Sequence, residues 1–102
     1  MTKIYDKIYE AVKKIPYGRV ATYAQIGTIC GNPYLARVVG NALHNNPQPY
    51  EIPCYRVVNS RGGLTKSFAF GGVNAQADLL RNEGIEVVDG FVDLEKYQWR
   101  GE

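Results

Sequence analysis

Between residues 22 and 44 the chain reads TYAQIGTICGNPYLARVVGNALH, and two helices have to meet inside that stretch across a turn of two or three residues. Thr22 is an N-cap with Gln25 three residues on, the spacing at which the two side chains and backbone amides satisfy one another in a capping box. Gly31 then supplies the left-handed residue that ends a helix. Asn32 caps a new helix at once, with Pro33 at its first position, where a missing N–H costs nothing. That third helix of the chain runs to about His44. A joint this tight, with a Gly in it, has the proportions of a helix-turn-helix, whose second helix is the one offered to DNA.

The face of that second helix leaves two readings open. Pro33, Arg37, Gly40 or Asn41, and His44 fall on one side at three- to four-residue intervals, whereas Leu35, Val39 and Leu43 can face a core. A small, polar face with a single Arg is what an ordinary solvated helix presents. It also suits a helix pressed into a nucleic-acid groove, with the guanidinium inserted where a base has left.

The remaining elements surround this joint. Ile4, Ile8, Ala11 or Val12, and Ile15 recur at helical spacing, predicting a first helix over 2–15 that IPYG stops through its Pro and Gly. After His44 the segment NNPQPYEIP places three prolines in nine residues and holds the chain extended just before Cys54. YRVVN reads as a short strand, SRGGLTKSFAFGG as a Gly- and Ser-rich loop carrying two aromatics, and residues 73–83 as a fourth helix ending at Gly84. IEVVDGFVDL alternates around Asp-Gly, a strong hairpin signal. The result is a mainly α domain with small β elements, an α+β fold in one unit over 1–102.

Composition narrows the class of protein. With 45% apolar and 22% charged residues, 102 residues support one modest core. A charge of +2 is compatible with a basic face but does not establish nucleic-acid binding. No apolar run approaches the roughly 20 residues of a membrane span, and the first residues lack the apolar core of a signal peptide. Two cysteines are too few for a disulfide framework, and one His with two Cys does not make the four ligands of a structural zinc site. These features lead us to expect a cytoplasmic protein with reduced thiols and no metal or cofactor.

The two cysteines differ in setting. Burial as a small hydrophobe is the usual fate of the residue, and Cys30, on the apolar side of the second helix, fits it. Cys54 follows a rigid Pro, shortly precedes Arg56, and lies between the helix-turn-helix and a loop of the kind that lines sites. A nucleophilic thiol there needs a lowered pKa, from nearby cations, helix N-terminal amides or a proton relay.

The run GNPYLARVVGNALHNNPQPYEIPCYRVVNSRGGL resembles the C-terminal domain of the O6-alkylguanine-DNA alkyltransferases, whose signature reads Pro-Cys-His-Arg-Val, and the likeness extends from the first helix through LLRNEGI. The resemblance implies a winged helix-turn-helix-like domain that enters the minor groove, flips O6-alkylguanine out of duplex DNA and takes the alkyl group irreversibly on a cysteine. On these residues, Cys54 is the acceptor, Arg37 the finger filling the vacated stack, and Tyr23 the tyrosine that helps rotate the nucleotide. Asn46 matches an asparagine bracing the active-site turn, and Glu83 the glutamate that closes a proton relay with Tyr55. Gly40, Asn41 and Arg56 join the DNA-facing set, and Leu43, Phe68 and Phe70 line the lesion pocket. The implied partner is double-stranded DNA bearing O6-alkylguanine, bound by a monomer.

Three departures accompany the likeness. The family's N-terminal domain is absent from these residues, SFAFGG lengthens the pocket loop, and Tyr55 stands where the signature has His. In the family the His links thiol to Glu through a water. A tyrosine hydroxyl can donate and accept, but its ordinary pKa of about 10 makes it a poor resting base, so transfer should be slower. Alkyltransferase-like proteins, which bind lesions and recruit other repair factors such as nucleotide excision repair proteins, commonly replace the cysteine itself, usually by Trp; this chain keeps it. A suicide alkyltransferase, a lesion-binding alkyltransferase-like protein and a helix-turn-helix regulator are the three alternatives. Nothing in the last demands Pro-Cys before a strand.

Overall fold

The computed structural model describes residues 3–49, 51–65 and 71–101. Helix α1 (Lys3–Lys13) buries Ile8, Tyr9, Ala11 and Val12 on one stripe. It ends two residues before the expected Ile15: the amides of Lys14 and Ile15 bond the carbonyls of Ala11 and Val12, tightening the last turn into i−3 bonding. Ile15 nevertheless stays in the core, 1% exposed.

Strand β1 (Ala21–Thr22) pairs in parallel with β2 (Val57–Val58), Ala21 opposite Val57 and Thr22 opposite Val58. All four residues are buried, as a two-residue parallel pair requires if it is to persist. Helix α2 (Tyr23–Ile29) starts from the expected capping box, with Thr22 Oγ1 accepting from the Gln25 amide at 3.1 Å and Gln25 Oε1 from the Thr22 amide at 3.2 Å. Gly31 has φ +116° and breaks the helix. The turn is close-packed: a Cβ on Gly27 would stand 2.8 Å from the Asn32 carbonyl oxygen.

The expected third helix divides in two. Asn32 Oδ1 accepts from the Tyr34 amide and the Asn32 carbonyl from the Leu35 amide, so Pro33–Leu35 form a 3₁₀ turn before α3 (Ala36–His44) begins. Val39, Ala42 and Leu43 face inward from α3.

Helix α4 (Gly72–Asn82) ends at Glu83 and Gly84, the latter with φ +82°. The Asp-Gly hairpin forms as β3 (Val87–Val88) and β4 (Phe91–Val92), with Asp89 and Gly90 both at positive φ, as a type I′ turn demands. A short helix α5 (Leu94–Tyr97), capped by Asp93, was not legible from periodicity because it spans barely one turn. Beyond it the chain is tied to the β1 end through Val20 N–H to the Tyr97 carbonyl and Trp99 N–H to the Val20 carbonyl.

Two packed clusters result. One joins α1, α2, α3 and Cys54; the other joins α4, the hairpin and Val58, and Tyr55 packs against both. Among the described residues no helix is long and apolar enough to cross a membrane. The architecture is the expected small, mostly helical single domain with short strands.

Candidate site around Cys54 and the recognition helix

The proline-rich approach ends in a 3₁₀ turn, Cys54–Arg56, wedged between Pro53 and β2. Cys54 is 5% exposed and packs in the first cluster. Burial pushes its thiol above the usual range, against hydrogen bonds from the Asn46 amide and from backbone amides of the turn that pull it back. Asn46 is itself buried and holds the approach in shape: its Nδ2 donates to the Ile52 carbonyl and its Oδ1 accepts from the Gln48 amide, each at 2.9 Å.

One residue further along the chain, the Tyr55 hydroxyl donates to Glu83 Oε2 at 2.6 Å. Glu83 also accepts from the Gly18 amide at 2.8 Å and from Arg56 through Nε and a second nitrogen, the shortest at 2.7 Å. Burial raises the Glu83 pKa, but the Arg56, Gly18 and Tyr55 donors outweigh it and hold the carboxyl below its ordinary range. Tyr55 is pushed up to about 12, by burial first and then by its bond to the Glu83 carboxylate.

Arg56 requires a correction. The resemblance places it among the DNA-facing residues, yet its guanidinium is turned inward, paired with Glu83, donating to the Ile15 carbonyl at 2.8 Å and lying over the rings of Tyr55 and Tyr17. A guanidinium committed to a carboxylate, a carbonyl and two rings has little left for phosphate.

Of the residues the sequence sets on the outer side of the third helix, Pro33 lies in the 3₁₀ turn before α3. Arg37, Asn41 and His44 are exposed and Gly40 is half-buried. Leu43 is buried at 6% exposure, within the core cluster that also holds Cys54. Tyr23, half-buried at the start of α2, is raised by burial, hydrogen-bonded to Thr65, and near enough to Cys54 to feel its charge. Phe68 and Phe70 lie outside the described residues. Cys30 departs from its expected burial: at the C-cap of α2 it is only half-buried, beside Lys7.

Three features escaped the sequence reading. Gln76, with no exposure, donates to the Tyr55 and Val57 carbonyls and accepts from the Thr65 amide, clasping the thiol turn to the pocket loop. Tyr9 donates to the Ala42 carbonyl at 2.7 Å and so fixes the end of α3. Charge is also unevenly distributed: residues 11–77 hold seven of the twelve Lys and Arg residues but one of the ten carboxylates, a signal that net charge conceals. Among the described residues no group of three or more His, Cys, Asp or Glu side chains could hold a metal ion.

Comparison with known proteins accounts for this arrangement. A family model described as 6-O-methylguanine DNA methyltransferase, DNA binding domain, matches residues 3–85. Alkyltransferase-like protein 1 of Schizosaccharomyces pombe is 39% identical over 98% of this chain and 97% of its own length. Its crystal structure in complex with damaged DNA containing O6-carboxymethylguanine superimposes with a TM-score of 0.88 at 37% identity, covering 98% of this chain and 97% of that one. A DNA base-flipping protein of Vibrio parahaemolyticus is 38% identical over 98% of the chain and 99% of its own length. The methylated-DNA–protein-cysteine methyltransferase of Cricetulus griseus is 38% identical over 76% of the chain, which spans only 37% of that protein. A matched helix-turn-helix, a Pro-Cys turn braced by Asn46 and a glutamate at the end of α4 therefore have one explanation: the chain belongs to the alkylguanine alkyltransferase family.

Proposed function

We propose that this protein is a DNA repair protein that binds O6-alkylguanine in duplex DNA through α3 in the minor groove, extrudes the damaged nucleotide and transfers its alkyl group to Cys54. The observation that supports transfer is the retained free thiol of Cys54, followed in the chain by a Tyr55 hydroxyl bonded at 2.6 Å to the Glu83 carboxylate, the two groups through which its proton would leave. Arg37 occupies the vacated stack, Tyr23 helps turn the nucleotide, and Gly40 and Asn41 give α3 a slender face toward the groove. Residues 1–102 serve as one DNA-binding and active-site domain. The protein acts as a monomer, in the cytoplasm where its thiols stay reduced.

The chemistry balances among the site, its substrate and water. Cys54 gives up its proton toward Tyr55 through an intervening water, while the hydroxyl proton of Tyr55 moves to Glu83. Sulfur attacks the alkyl carbon in line; the S–C bond forms as the C–O6 bond breaks. The electron pair left on O6 becomes the guanine carbonyl, N1 takes up one proton from water, and Glu83 returns the proton it received to water. The net exchange is a thiol hydrogen for an alkyl group. A thioether has no leaving route here, so each molecule reacts once.

A second reading has its own support. Thiol and phenol are pushed up and the carboxylate is held down, so each shift opposes moving the thiol proton to Glu83. The S. pombe relative, matched along nearly its whole length, is an alkyltransferase-like protein. On this reading the chain binds the lesion and recruits nucleotide excision repair proteins without reacting. Intact-mass analysis after incubation with O6-methylguanine DNA separates the two. One added methyl, mapped to Cys54, establishes transfer, whereas an unchanged mass with tight lesion binding establishes recognition alone. A Cys54→Ser protein binds without gaining mass in either case.

A further inference from the structure

We propose that Tyr34 is a second DNA anchor, packing its ring against the deoxyribose backbone of the duplex beside the extruded nucleotide; this rests on the DNA-binding reading above.

Tyr34 is 91% exposed, the most exposed large apolar side chain among the described residues. Exposure of a single tyrosine is ordinary on its own. Its mounting is not. Pro33 fixes the preceding backbone, the Tyr34 amide is held by Asn32 Oδ1 at 2.9 Å, and the Asn32 amide is bonded back to the Gly27 carbonyl at 2.9 Å. The ring is thus presented on a stem already ordered before any ligand arrives, which lowers the entropic cost of contact.

Tyr34 sits in the 3₁₀ turn that leads directly into α3, three residues before Arg37 and seven before Asn41. Arg37 and Asn41 are exposed on α3. Tyr34 therefore stands at the N-terminal end of the proposed groove contact.

The charge of the surrounding sequence favours a polyanionic partner. From Ala11 to Tyr50 the chain contains no Asp or Glu while carrying Lys13, Lys14, Arg19 and Arg37. A protein partner with an apolar groove would be an alternative occupant, but an exposed aromatic three residues before the exposed Arg37 suits a sugar-phosphate surface, where the ring covers deoxyribose and the cation meets a phosphate. The other strongly exposed tyrosine, Tyr17, is already employed, its hydroxyl donating to the Asn82 carbonyl and its ring facing Arg56.

The test measures equilibrium binding to an O6-methylguanine duplex and to the undamaged duplex by fluorescence anisotropy, in a Cys54→Ser background so that no transfer removes the lesion. Tyr34→Ala should weaken both duplexes roughly five- to thirtyfold, the effect of truncating one large apolar contact, with an unchanged salt slope. Tyr34→Phe should bind within about twofold of the parent. Unchanged affinity in Tyr34→Ala overturns the proposal. Equal losses in Phe and Ala overturn it too, because they make the hydroxyl and not the ring responsible. An Arg37→Ala arm isolates the underlying reading: if it loses lesion preference while Tyr34→Ala loses nothing, only the Tyr34 anchor fails, and if the parent itself binds neither duplex, both fail.

Discussion

Tyr55 Oη and Glu83 Oε2 are joined by a 2.6 Å hydrogen bond in which the tyrosine is the donor. Its single proton is therefore already directed at the carboxylate, and only its lone pairs remain to receive a proton coming from the thiol side. A histidine in the same place could hold a proton on one nitrogen and accept on the other; tyrosine must pass its own proton on as it takes one up.

From this follows a pair of substitutions. Tyr55→Phe removes the relay atom while Glu83 keeps Arg56 and Gly18 as donors, so folding should survive with a loss of about 1 kcal/mol. Alkyl transfer should fall about a hundredfold or more, within the span ascribed to a positioned proton carrier. Tyr55→His should raise the rate above that of the wild type. Single-turnover kinetics on an O6-methylguanine duplex provides the comparison, and equal rates for Tyr and Phe would remove the hydroxyl from the relay.

The pH dependence of transfer should likewise lack a step near neutrality. The thiol lies above its ordinary value because of burial, Tyr55 at about 12, and Glu83 below the usual carboxylate range. No group in the relay then changes charge between roughly pH 6 and 8. The rate should be flat there and climb above the ordinary thiol range as Cys54 ionises. Tyr55→His should introduce a new inflection near the imidazole value of about 6.5.

Stability in acid should report on Glu83. Its carboxyl is held below the ordinary value in the folded state, so the stability it contributes is fully present above the unfolded carboxylate pKa and is lost as pH falls through the folded value. Urea unfolding midpoints should stay level from neutral pH down to about 5 and drop below that. In Glu83→Gln part of this acid dependence should disappear, and an identical pH profile for the two proteins would show that the Arg56 pair is not its source.

How much of this was legible in sequence depended on the range of each interaction. The capping box of Thr22 and Gln25, the Asn32 cap and the Asp89-Gly90 turn were readable because their partners lie within three residues of one another. The β1–β2 pairing was not, because Ala21 and Val57 meet only once α2, α3 and the proline-rich approach have folded between them. The same distance explains Arg56: the sequence shows a cation beside a cysteine, but its direction is fixed by a carboxylate 27 residues later. Gln76 was unreadable for a related reason, since a glutamine on a helix usually faces water and this one is buried to serve three backbone groups. Cys54 stood out because proline and the recognised motif mark it locally, whereas the state of its thiol depends on burial that no local pattern encodes.

Asn46 should prove structural and electrostatic at once. Asn46→Ala deprives the Gln48 amide of its acceptor and the Ile52 carbonyl of one donor, in a buried setting, and should cost about 2 kcal/mol. It also removes a hydrogen bond that lowers the thiol pKa, so Cys54 should titrate still higher than in the wild type. Thiol alkylation rates measured against pH, alongside urea denaturation, separate the effects: a stability loss with an unmoved thiol titration would make Asn46 a brace for the loop alone.

Arg37 carries the sharpest distinction between extrusion and simple binding. Flipping a nucleotide costs a few kcal/mol of unstacking and unpairing, and a guanidinium inserted into the vacated stack offsets part of that cost. The free base O6-benzylguanine needs no flipping. Arg37→Ala should therefore slow reaction with duplex O6-methylguanine by about tenfold or more while leaving reaction with the free base close to wild type, a ratio no general loss of folding would produce. A phosphate contact would behave otherwise, weakening all duplexes alike and reducing the salt slope by roughly one unit. With 2-aminopurine placed at and opposite the lesion site, the exposed helix face makes the choice visible: loss of the fluorescence rise on binding assigns Arg37 to the gap in the stack, and an intact rise with a shallower salt slope assigns it to the backbone.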